Sequence, residues 1–600
     1  MNITDKQNLT LCNLFGLVYI ERSKFKYYAC FEKNKTCNIM EYMEDFKDAE
    51  HIKFEDLLEK CIYDDVHGFV ALTEKEKRLL SHPYMQRLHF IKQNALANFV
   101  FPGATHTRFS HSIGVLHIVE KMIQKLKTLP KNKIDIDPID HQVVRLAALL
   151  HDVGHYPLSH TIENCFKEYD RHFLQQKSAH LKLGMDTGKH NNFFDNLRTP
   201  KDILKDFPSV SAGNSKFHHE KIAAILISDN RSPLKNIIID ILKDTYRKTH
   251  GKSISMKKIE IYIKLIGMLI CGAPNLYTDS LSLKEIEKYY LLSFLINSNL
   301  DADQMDYMCR DTKNTGIQTT IRIDFLIDNM DICYIKVDGQ YQPVICFNYK
   351  AFESVQQFLL SKEYWYTEII FYDKVNILNR IAERLYMYSI YKENNINSIE
   401  EFYEKILFNQ EEYIRFNDTE FWNRIYSLYS KQSTPRMLKK LIDILIGKIR
   451  IPRALTGSQL DSINDADIKK FFKTSIMSQK INDNIKNHAY NLIDETFKNK
   501  GEKVFSLYFS NKFLDSPTGE IIKDKYANRS IYILSSPCLK KNICDKECLN
   551  AVELLNASKL GKNLIHQLLD IRTDTDIRND VPKSAFIEKC LVYDFNLRPV

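Results

Sequence analysis

The chain has 600 residues, more than one hydrophobic core usually holds, so a single small domain is excluded and a large unit with added lobes is expected. Hydrophobic residues make up 44% and aromatic residues 11% of the sequence, which excludes a disordered chain. The net charge of +8 permits contact with nucleotides or weak contact with nucleic acid, but it identifies neither.

The sequence lacks the features of secreted and membrane proteins. Its 13 cysteines are scattered without a disulfide-like spacing, which favours free thiols in a reducing compartment. The first residues carry no basic-then-apolar signal, and no run reaches the roughly 18 apolar residues of a membrane span. We therefore expect a cytoplasmic protein that makes no use of a membrane.

Residues 1–60 predict a small N-terminal lobe. Two short aromatic runs, Leu17 to Ile20 and Tyr27 to Phe31, are typical of a strand pair. Residues 61–380 form the predicted core, in which residues 167–217 are polar and rich in Asn and Lys, as expected of an inserted loop or flap. Apolar residues of the core recur at three-to-four spacing, which predicts amphipathic helices, as in Leu116, Val119, Met122, Ile123 and Leu126.

The end of the core contains a predicted hairpin. Residues 331–349 have two alternating runs around Asp338-Gly339, a dipeptide that favours a tight turn. Residues 381–600 have helical patterns but no chemical motif, so we expect a helical C-terminal lobe of unassigned role. The predicted fold class is all-α: a helical core with one small β-hairpin and lobes at both ends.

One string combines an imidazole and a carboxylate at the end of an apolar helix: Leu150-His151-Asp152-Val153-Gly154-His155. This pairing suits a divalent cation that prefers mixed nitrogen and oxygen ligands; the alternative is a satisfied buried pair without a ligand. Two further strings place His111 and Asp303 at the boundaries of apolar helices. Two neutral imidazoles and two carboxylates carry a summed charge of about −2, which balances a divalent ion.

The order His, His-Asp, Asp resembles the HD-domain metal-dependent phosphohydrolases, and the longer strings resemble their deoxynucleoside triphosphate (dNTP) triphosphohydrolase branch. The matching strings follow one order between about residues 62 and 375. They are Asp65–Gly68, Gln86–Gln93, Phe101–Ala104 with Arg108–Val115, Leu150–His155 and Asp301–Tyr307. The first 50 or so residues and the last 200 or so lie outside the resemblance.

The resemblance implies a metal centre and an acid/base group. The metal ligands would be His111, His151, Asp152 and Asp303. The metal would be Mn, Fe, Zn or Ni, and Mg can accompany the substrate phosphates. A carboxylate beside an imidazole fixes its tautomer and raises its pKa, so that the imidazole can protonate a leaving oxygen. The catalytic residues would be His155, His160, Glu163 and His219, with His218 as an alternative partner of Glu163.

The resemblance also implies a substrate pocket. Gln93 matches a residue beside the 3′-hydroxyl of the sugar, and Arg108 matches one that holds phosphate. Tyr307 and Asp311 match residues that line the sugar pocket, although both could instead be core and ion-pair residues. The nucleotide substrate would thus be recognised mainly through its sugar and phosphates, and the base would be read little.

Three positions depart from the pattern of the triphosphate enzymes. Gln304 stands where Lys or Arg is usual, Glu363 where an Arg binds phosphate, and Phe371 where a Tyr stacks on the sugar. A Glu would repel a triphosphate, and an amide does not neutralise its charge. Either a local register shift brings in Lys362 and Lys374, or the substrate carries less phosphate charge.

The predicted reaction is metal-dependent hydrolysis of dNTPs to deoxynucleoside and inorganic triphosphate. The first alternative is an HD phosphohydrolase that acts on nucleotide monophosphates or signalling nucleotides, and Gln304 and Glu363 motivate it. The second alternative is a nucleotide- or nucleic-acid-binding regulator with a structural metal. The resemblance further implies a homo-oligomer, because members of the family form dimers to hexamers.

Overall fold

The computed structural model describes residues 53–130, 133–166, 218–272, 281–337, 340–370, 372–393, 399–434 and 436–451, together with short strands outside these ranges. The predicted insert at residues 167–217 lies outside the described residues. Phe371 also lies outside them, so its predicted place beside the sugar stays a prediction.

Helices form most of the described core. Before the insert these are α1 (Glu74–Leu80), α2 (Pro83–Gln86), α3 (Arg108–Lys127) and α4 (Pro138–Leu150). After it come α5 (His219–Ser228), α6 (Pro233–His250), α7 (Met256–Cys271), α8 (Leu283–Ser293), α9 (Ala302–Thr315) and α10 (Ile323–Asp328). The chain continues with α11 (Phe352–Trp365), α12 (Asp373–Glu393), α13 (Ile399–Phe402), α14 (Gln410–Arg415), α15 (Asp418–Ser430) and α16 (Arg436–Leu445).

Helix α4 lies at the centre of the core. Its N-cap Asp137 accepts hydrogen bonds from the backbone N–H groups of Ile139 and Asp140, and Pro138 occupies the first turn, where it removes no helical bond. Every residue from Ile139 to Leu150 is buried, because α3, α6 and α7 pack around the helix. The buried end of α4 therefore delivers His151 and Asp152 to the interior.

Short antiparallel strand pairs complete the fold. β1 (Leu17–Arg22) pairs with β2 (Phe25–Cys30), as the aromatic runs predicted, and β3 (Lys60–Asp64) pairs with β4 (Gly68–Leu72). The predicted hairpin is confirmed as β5 (Met330–Val337) and β6 (Gln340–Asn348).

The part of the chain beyond residue 500 adds strands that the helical patterns did not predict. β8 (Tyr532–Leu534) lies parallel to β6, and β9 (Cys548–Asn550) pairs with β8, so the hairpin becomes a four-stranded sheet in the order β5-β6-β8-β9. β7 (Phe505–Asn511) pairs with β10 (Glu588–Asp594). Residues 505–510 alternate between Phe or Leu and Ser or Tyr, a two-residue period that was available in the sequence for β7, whereas β8 and β9 have three residues each.

The predicted all-α core is confirmed. The apolar series on α3 is buried from Leu116 to Leu126, as the three-to-four spacing requires. Helices α12 to α16 agree with the predicted helical character of the C-terminal region up to residue 445. Among the described helices, none combines the length and the hydrophobicity that crossing a bilayer would demand.

Candidate metal centre and active site

Three of the four predicted metal ligands, His111, His151 and Asp303, bring ligand atoms within 4.8 Å of one another, and Asp152 lies beside them. His111 lies in the first turn of α3, His151 and Asp152 follow the last residue of α4, and Asp303 lies in the first turn of α9. His111 Nε2 is 3.3 Å from His151 Nε2, 2.8 Å from Asp303 Oδ1 and 3.7 Å from Asp152 Oδ2. The side chain of Asp303 is 37% exposed while the other three are buried, so the group opens to solvent beside Asp303.

Hydrogen bonds on the far side of each ring orient the two imidazoles. His151 Nδ1 donates to the carbonyl oxygen of Ala148 at 2.8 Å, and His111 Nδ1 donates to Asp306 Oδ2 at 2.7 Å. Both Nε2 atoms therefore face each other, and two lone pairs at this distance repel unless a proton or a cation lies between them. This donor set of imidazoles and carboxylates fits a divalent transition-metal ion.

The protonation of His111 depends on its two carboxylate neighbours. Burial alone would lower its pKa, but the hydrogen bonds to Asp303 and Asp306 outweigh burial and raise the pKa to about 10. Burial alone would raise the pKa of Asp152, but Arg108 and His151 hold it well below its usual range. A cation that binds here would displace a proton from His111, because a metal ligand must be neutral imidazole.

The four predicted catalytic residues form a second group beside the first. Glu163 is fully buried; its Oε2 lies 2.8 Å from His160 Nδ1 and 3.2 Å from His219 Nδ1. The ring of His155 stacks on that of His219 at 4.0 Å, and His155 Nε2 lies 3.2 Å from Asp152 Oδ1. Asp152 thus stands between the two groups. The second group also has a donor set that could hold a cation of its own.

Electrostatics assign different protonation states to these imidazoles. Burial lowers the pKa of His155 well below its usual range, and the neighbouring Arg108 adds to this, so His155 is neutral. Burial would also lower the pKa of His219, but the Glu163 carboxylate outweighs it and raises the pKa. Glu163 lies closer to His219 than to His218, whose Nε2 is 3.7 Å from Oε1, so the geometry favours His219 as its partner.

Arg108 connects the site with a loop that carries Gln93. Its Nη1 donates to Asp152 Oδ2 at 2.8 Å, and its Nε donates to the hydroxyl of Ser159 at 3.0 Å. The backbone N–H of Gln93 donates to the carbonyl oxygen of His106 at 3.1 Å, which places residue 93 next to the start of α3. Gln93 is buried and its Oε1 has no hydrogen-bond partner among the described residues, so it can accept a hydrogen bond from a ligand.

Asp311 and His106 form a buried pair that the sequence did not predict. His106 Nε2 lies 2.7 Å from Asp311 Oδ1, while His106 Nδ1 and Asp311 Oδ2 have no partner among the described residues. The ring of Tyr307 stacks on Trp365 at 4.7 Å, and its hydroxyl hydrogen-bonds with Tyr366. Asp311 is thus paired with His106 through one carboxylate oxygen, while the other oxygen has no partner among the described residues. His106 lies in the same string as Arg108, and this nearness was the available signal.

A lysine of α11 brings a cation to Gln304. The π-helical turn Tyr366–Ile370 follows α11, so Lys362 precedes that turn and keeps the register of α11. Lys362 Nζ donates to Gln304 Oε1 at 2.6 Å; burial lowers its pKa, against the attraction of Asp301 and Asp303. The ammonium that the sequence lacks at position 304 is therefore present beside it. Within the described chain, Lys374 makes no such hydrogen bond or ion pair.

A carboxylate that the sequence did not predict lies behind the ring of His111. Asp306 accepts from His111 Nδ1 with one oxygen, and its other oxygen lies 2.6 Å from His67 Nε2. The guanidinium of Arg310 donates to both oxygens of Asp306 and to Asp64. The spacing of Asp303, Asp306 and Arg310 along one helix face was the signal, because residues three and four apart are neighbours.

Comparison with known proteins finds a domain match over part of this site. The family model described as HD domain matches residues 108–266. This range contains three of the four predicted metal ligands, His111, His151 and Asp152, but not Asp303. The chain is 25% identical to the bovine deoxynucleoside triphosphate triphosphohydrolase SAMHD1 over 51% of its length and 45% of that protein. It is 39% identical to the Xenopus laevis SAMHD1 over 46% of its length and 37% of that protein.

Other relatives are less informative about function. An uncharacterized protein of Mycoplasma pneumoniae is 25% identical over 73% of this chain and 91% of that protein. A hypothetical protein from Aquifex aeolicus has a solved structure with a TM-score of 0.49 and 20% identity, covering 89% of this chain and 96% of that one. The matches to the SAMHD1 proteins described above span less than half of their length.

Proposed function

We propose that this chain, which carries an HD domain and is related to the dNTP triphosphohydrolases, is a metal-dependent phosphohydrolase that converts dNTPs to deoxynucleoside and inorganic triphosphate. The observation that carries the proposal is the approach of His111 Nε2 and His151 Nε2 to 3.3 Å, with their Nδ1 atoms already bonded elsewhere. A divalent cation bound by both imidazoles would replace the proton that His111 carries between its carboxylate neighbours.

The metal would be held by His111, His151, Asp152 and Asp303. A divalent cation at such a site polarises a phosphate oxygen and lowers the pKa of water. Imidazole and carboxylate ligands suit Mn, Fe, Zn and Ni, and the choice among them depends on availability. The partly exposed Asp303 leaves the approach for substrate on its side of the site.

The side chains around the metal centre supply the rest of the chemistry. Water adds to the α-phosphorus, the bond between phosphorus and the 5′-oxygen breaks, and the leaving oxygen takes a proton. His219 and His160, both within hydrogen-bond reach of the buried Glu163, would give that proton and accept one from water. Arg108 would hold the phosphate, while the unpartnered oxygens of Gln93 and Asp311 would bind the sugar hydroxyl.

The contact between Lys362 and Gln304 supports a triphosphate over a less charged substrate. A triphosphate carries about four negative charges, which require cations in a site of low polarity. Lys362 supplies one near Asp301 and Asp303, on the exposed side of the centre. Without Lys362, the amide of Gln304 would favour a monophosphate substrate, the first alternative.

The experiment is to incubate the purified protein with Mn²⁺ or Mg²⁺ and each dNTP, dNMP and a cyclic dinucleotide, and to follow inorganic triphosphate, phosphate and nucleoside. We expect triphosphate and nucleoside in equal amounts from dNTPs, and none from His151→Ala. His250→Ala, at the end of α6, is the matched histidine control and should keep full activity. Hydrolysis of monophosphates alone would favour the first alternative. Nucleotide binding without any turnover would favour the regulator.

A further inference from the structure

The segment from Tyr413 to Asp418 lies against the backbone of the candidate active site. This segment, called the clamp segment below, joins the end of α14 to the start of α15, in the region to which the sequence assigned no role. Tyr413 is 1% and Asp418 is 8% exposed, so both are packed inside the protein. Their polar atoms must therefore find partners there, and those partners belong to the site.

The carboxylate of Asp418 bridges two loops that are distant in sequence. Its Oδ2 accepts from the backbone N–H of Lys92 at 3.0 Å, and its Oδ1 accepts from the backbone N–H of Leu158 at 2.7 Å. Lys92 precedes Gln93, and Leu158 lies two residues before His160. One carboxylate therefore fixes the loops that carry a predicted sugar-binding residue and a predicted catalytic residue.

The loop held by Asp418 has an unusual backbone. Leu158 and Ser159 have φ of 50° and 52°, a left-handed conformation that residues other than glycine rarely adopt. Such a conformation persists only where surrounding contacts hold it, and the bond from Leu158 to Asp418 is one of them. The hydroxyl of Ser159 donates to the carbonyl oxygen of Lys92 at 2.7 Å and accepts from Arg108 Nε. The strained pair thus connects the clamp segment to Arg108.

The other end of the clamp segment holds the turn that follows Asp152. The hydroxyl of Tyr413 donates to the carbonyl oxygen of Val153 at 2.5 Å. Arg87 lies over the Tyr413 ring at 4.1 Å and donates to the carbonyl oxygens of His155 at 2.5 Å and Phe416 at 2.8 Å. Tyr413 and Arg87 together pair the backbone carbonyls of this turn with the clamp segment.

We propose that Asp418 and Tyr413 are positioning residues: they hold the backbone on which the catalytic and phosphate-binding side chains stand, without touching substrate. The metal ligands depend less on the clamp segment, because His111 and Asp303 lie on α3 and α9. His151 and Asp152 directly follow α4, and the bonds of the clamp segment described above go to neighbouring residues and not to these two. Loss of the clamp should therefore slow the reaction and leave metal binding intact. The kinetic part of this inference rests on the proposed function, whereas the structural part does not.

The test compares Asp418→Asn with Asp443→Asn, a control in α16 whose carboxylate bonds to Tyr429 in the same C-terminal region. An Asn has the same size, but its amide nitrogen cannot accept from one of the two backbone N–H groups. At a temperature where both variants are folded, we expect kcat of Asp418→Asn to fall by about 10- to 100-fold. Metal content should stay at the wild-type value, and Asp418→Glu should restore part of the rate.

Hydrogen–deuterium exchange gives a readout that does not depend on activity. We expect faster exchange at the amides of Lys92 and Leu158 in Asp418→Asn, with unchanged exchange in α3 and α4. If Asp418→Asn does not fold, Tyr413→Phe decides in its place through the same loss of kcat with metal retained. Wild-type exchange at both amides, or a rate loss that only follows the unfolded fraction, overturns the inference. If the wild type hydrolyses no nucleotide, the proposed function fails while the exchange result still decides this inference.

Discussion

Asp306 accepts a hydrogen bond from His111 Nδ1 at 2.7 Å, on the side of the ring that faces away from Asp152 and Asp303. This bond fixes the tautomer that turns Nε2 toward the metal centre and makes that nitrogen a better ligand. Arg310 donates to both oxygens of Asp306 and keeps this carboxylate ionised. The pKa of Asp306 therefore lies well below its usual range, although burial alone would raise it. Asp306 therefore acts on the metal centre through His111.

Asp306→Asn should weaken metal binding by about 10- to 100-fold, because an amide orients the imidazole less strongly than a carboxylate. Titration of the metal-free protein with Mn²⁺ by calorimetry measures this change. The control is Asp324→Asn, whose exposed carboxylate pairs with Lys121. Arg310 keeps its bonds to Asp64, so the variant should fold, which a thermal unfolding curve checks. Equal Mn²⁺ affinity in both variants would contradict this role of Asp306.

Glu163→Gln should move the basic limb of the pH–rate profile to lower pH. Burial lowers the pKa of His219 and the Glu163 carboxylate raises it by a larger amount, so removing the charge lowers this pKa. His219 acts as an acid only when it is protonated, that is, below its pKa. As the pH rises, the rate of the variant should therefore begin to fall at a lower pH than the rate of the wild type. Glu260→Gln, whose exposed carboxylate pairs with the buried Lys235, is the control. An unshifted limb would exclude His219 as the acid.

Lys362→Met should discriminate between substrates by their charge. Losing a hydrogen bond from a charged donor raises KM for dNTPs by about 10-fold or more, since such bonds contribute about 1.5–3 kcal/mol. KM for a dNMP should change much less. Steady-state kinetics with both substrates measures the ratio, and Lys121→Met on α3 serves as the control. A uniform change for both substrates would mean that Lys362 supports the fold and not the phosphates.

Gly114→Ala should unfold the protein at a lower temperature. A Cβ at residue 114 would overlap with Asp306 Oδ1 and Arg310 Nη2, and neither can move without breaking a buried ion pair. We expect a loss of about 3 kcal/mol or more in the free energy of unfolding. Gly251→Ala, with φ of 65° and open space around it, should lose only about 1 kcal/mol through backbone strain. Urea unfolding measures both values, and equal losses would argue against the predicted overlap.

Asp140→Asn should flatten the dependence of stability on pH. Burial, with Asp137 nearby, raises the pKa of Asp140 to about 6, although Lys288 and Tyr289 bond to it. The folded state then binds more protons than the unfolded state between about pH 4 and 6, so this carboxyl makes the free energy of unfolding fall as pH rises through that window. The wild type should lose up to about 3 kcal/mol there relative to Asp140→Asn. Urea unfolding at pH 4, 5 and 6 checks the difference.

Part of the candidate site is encoded in local residue spacing, and part of it is not. The apolar run of α4 and the order of His and Asp residues predicted which helix ends form the metal centre. Both are patterns of residue type over short stretches of sequence, so they can be identified without the tertiary structure. The spacing could not show whether His218 or His219 is the partner of Glu163, because the two residues are adjacent at the start of α5. Only their distances to Glu163 distinguish them. The spacing also did not predict that the ring of His106 lies 2.7 Å from Asp311.

The sequence by itself determined the helical core, the β5–β6 hairpin and the set of imidazoles and carboxylates, since periodicity and residue type are local properties. Only the tertiary structure decided which other side chains make hydrogen bonds with the residues of the candidate site and with its backbone. Asp306 behind His111, Lys362 beside Gln304 and Asp418 between Lys92 and Leu158 join residues from different elements. Such pairs depend on how helices and loops pack against each other, which is not encoded in the spacing of one segment.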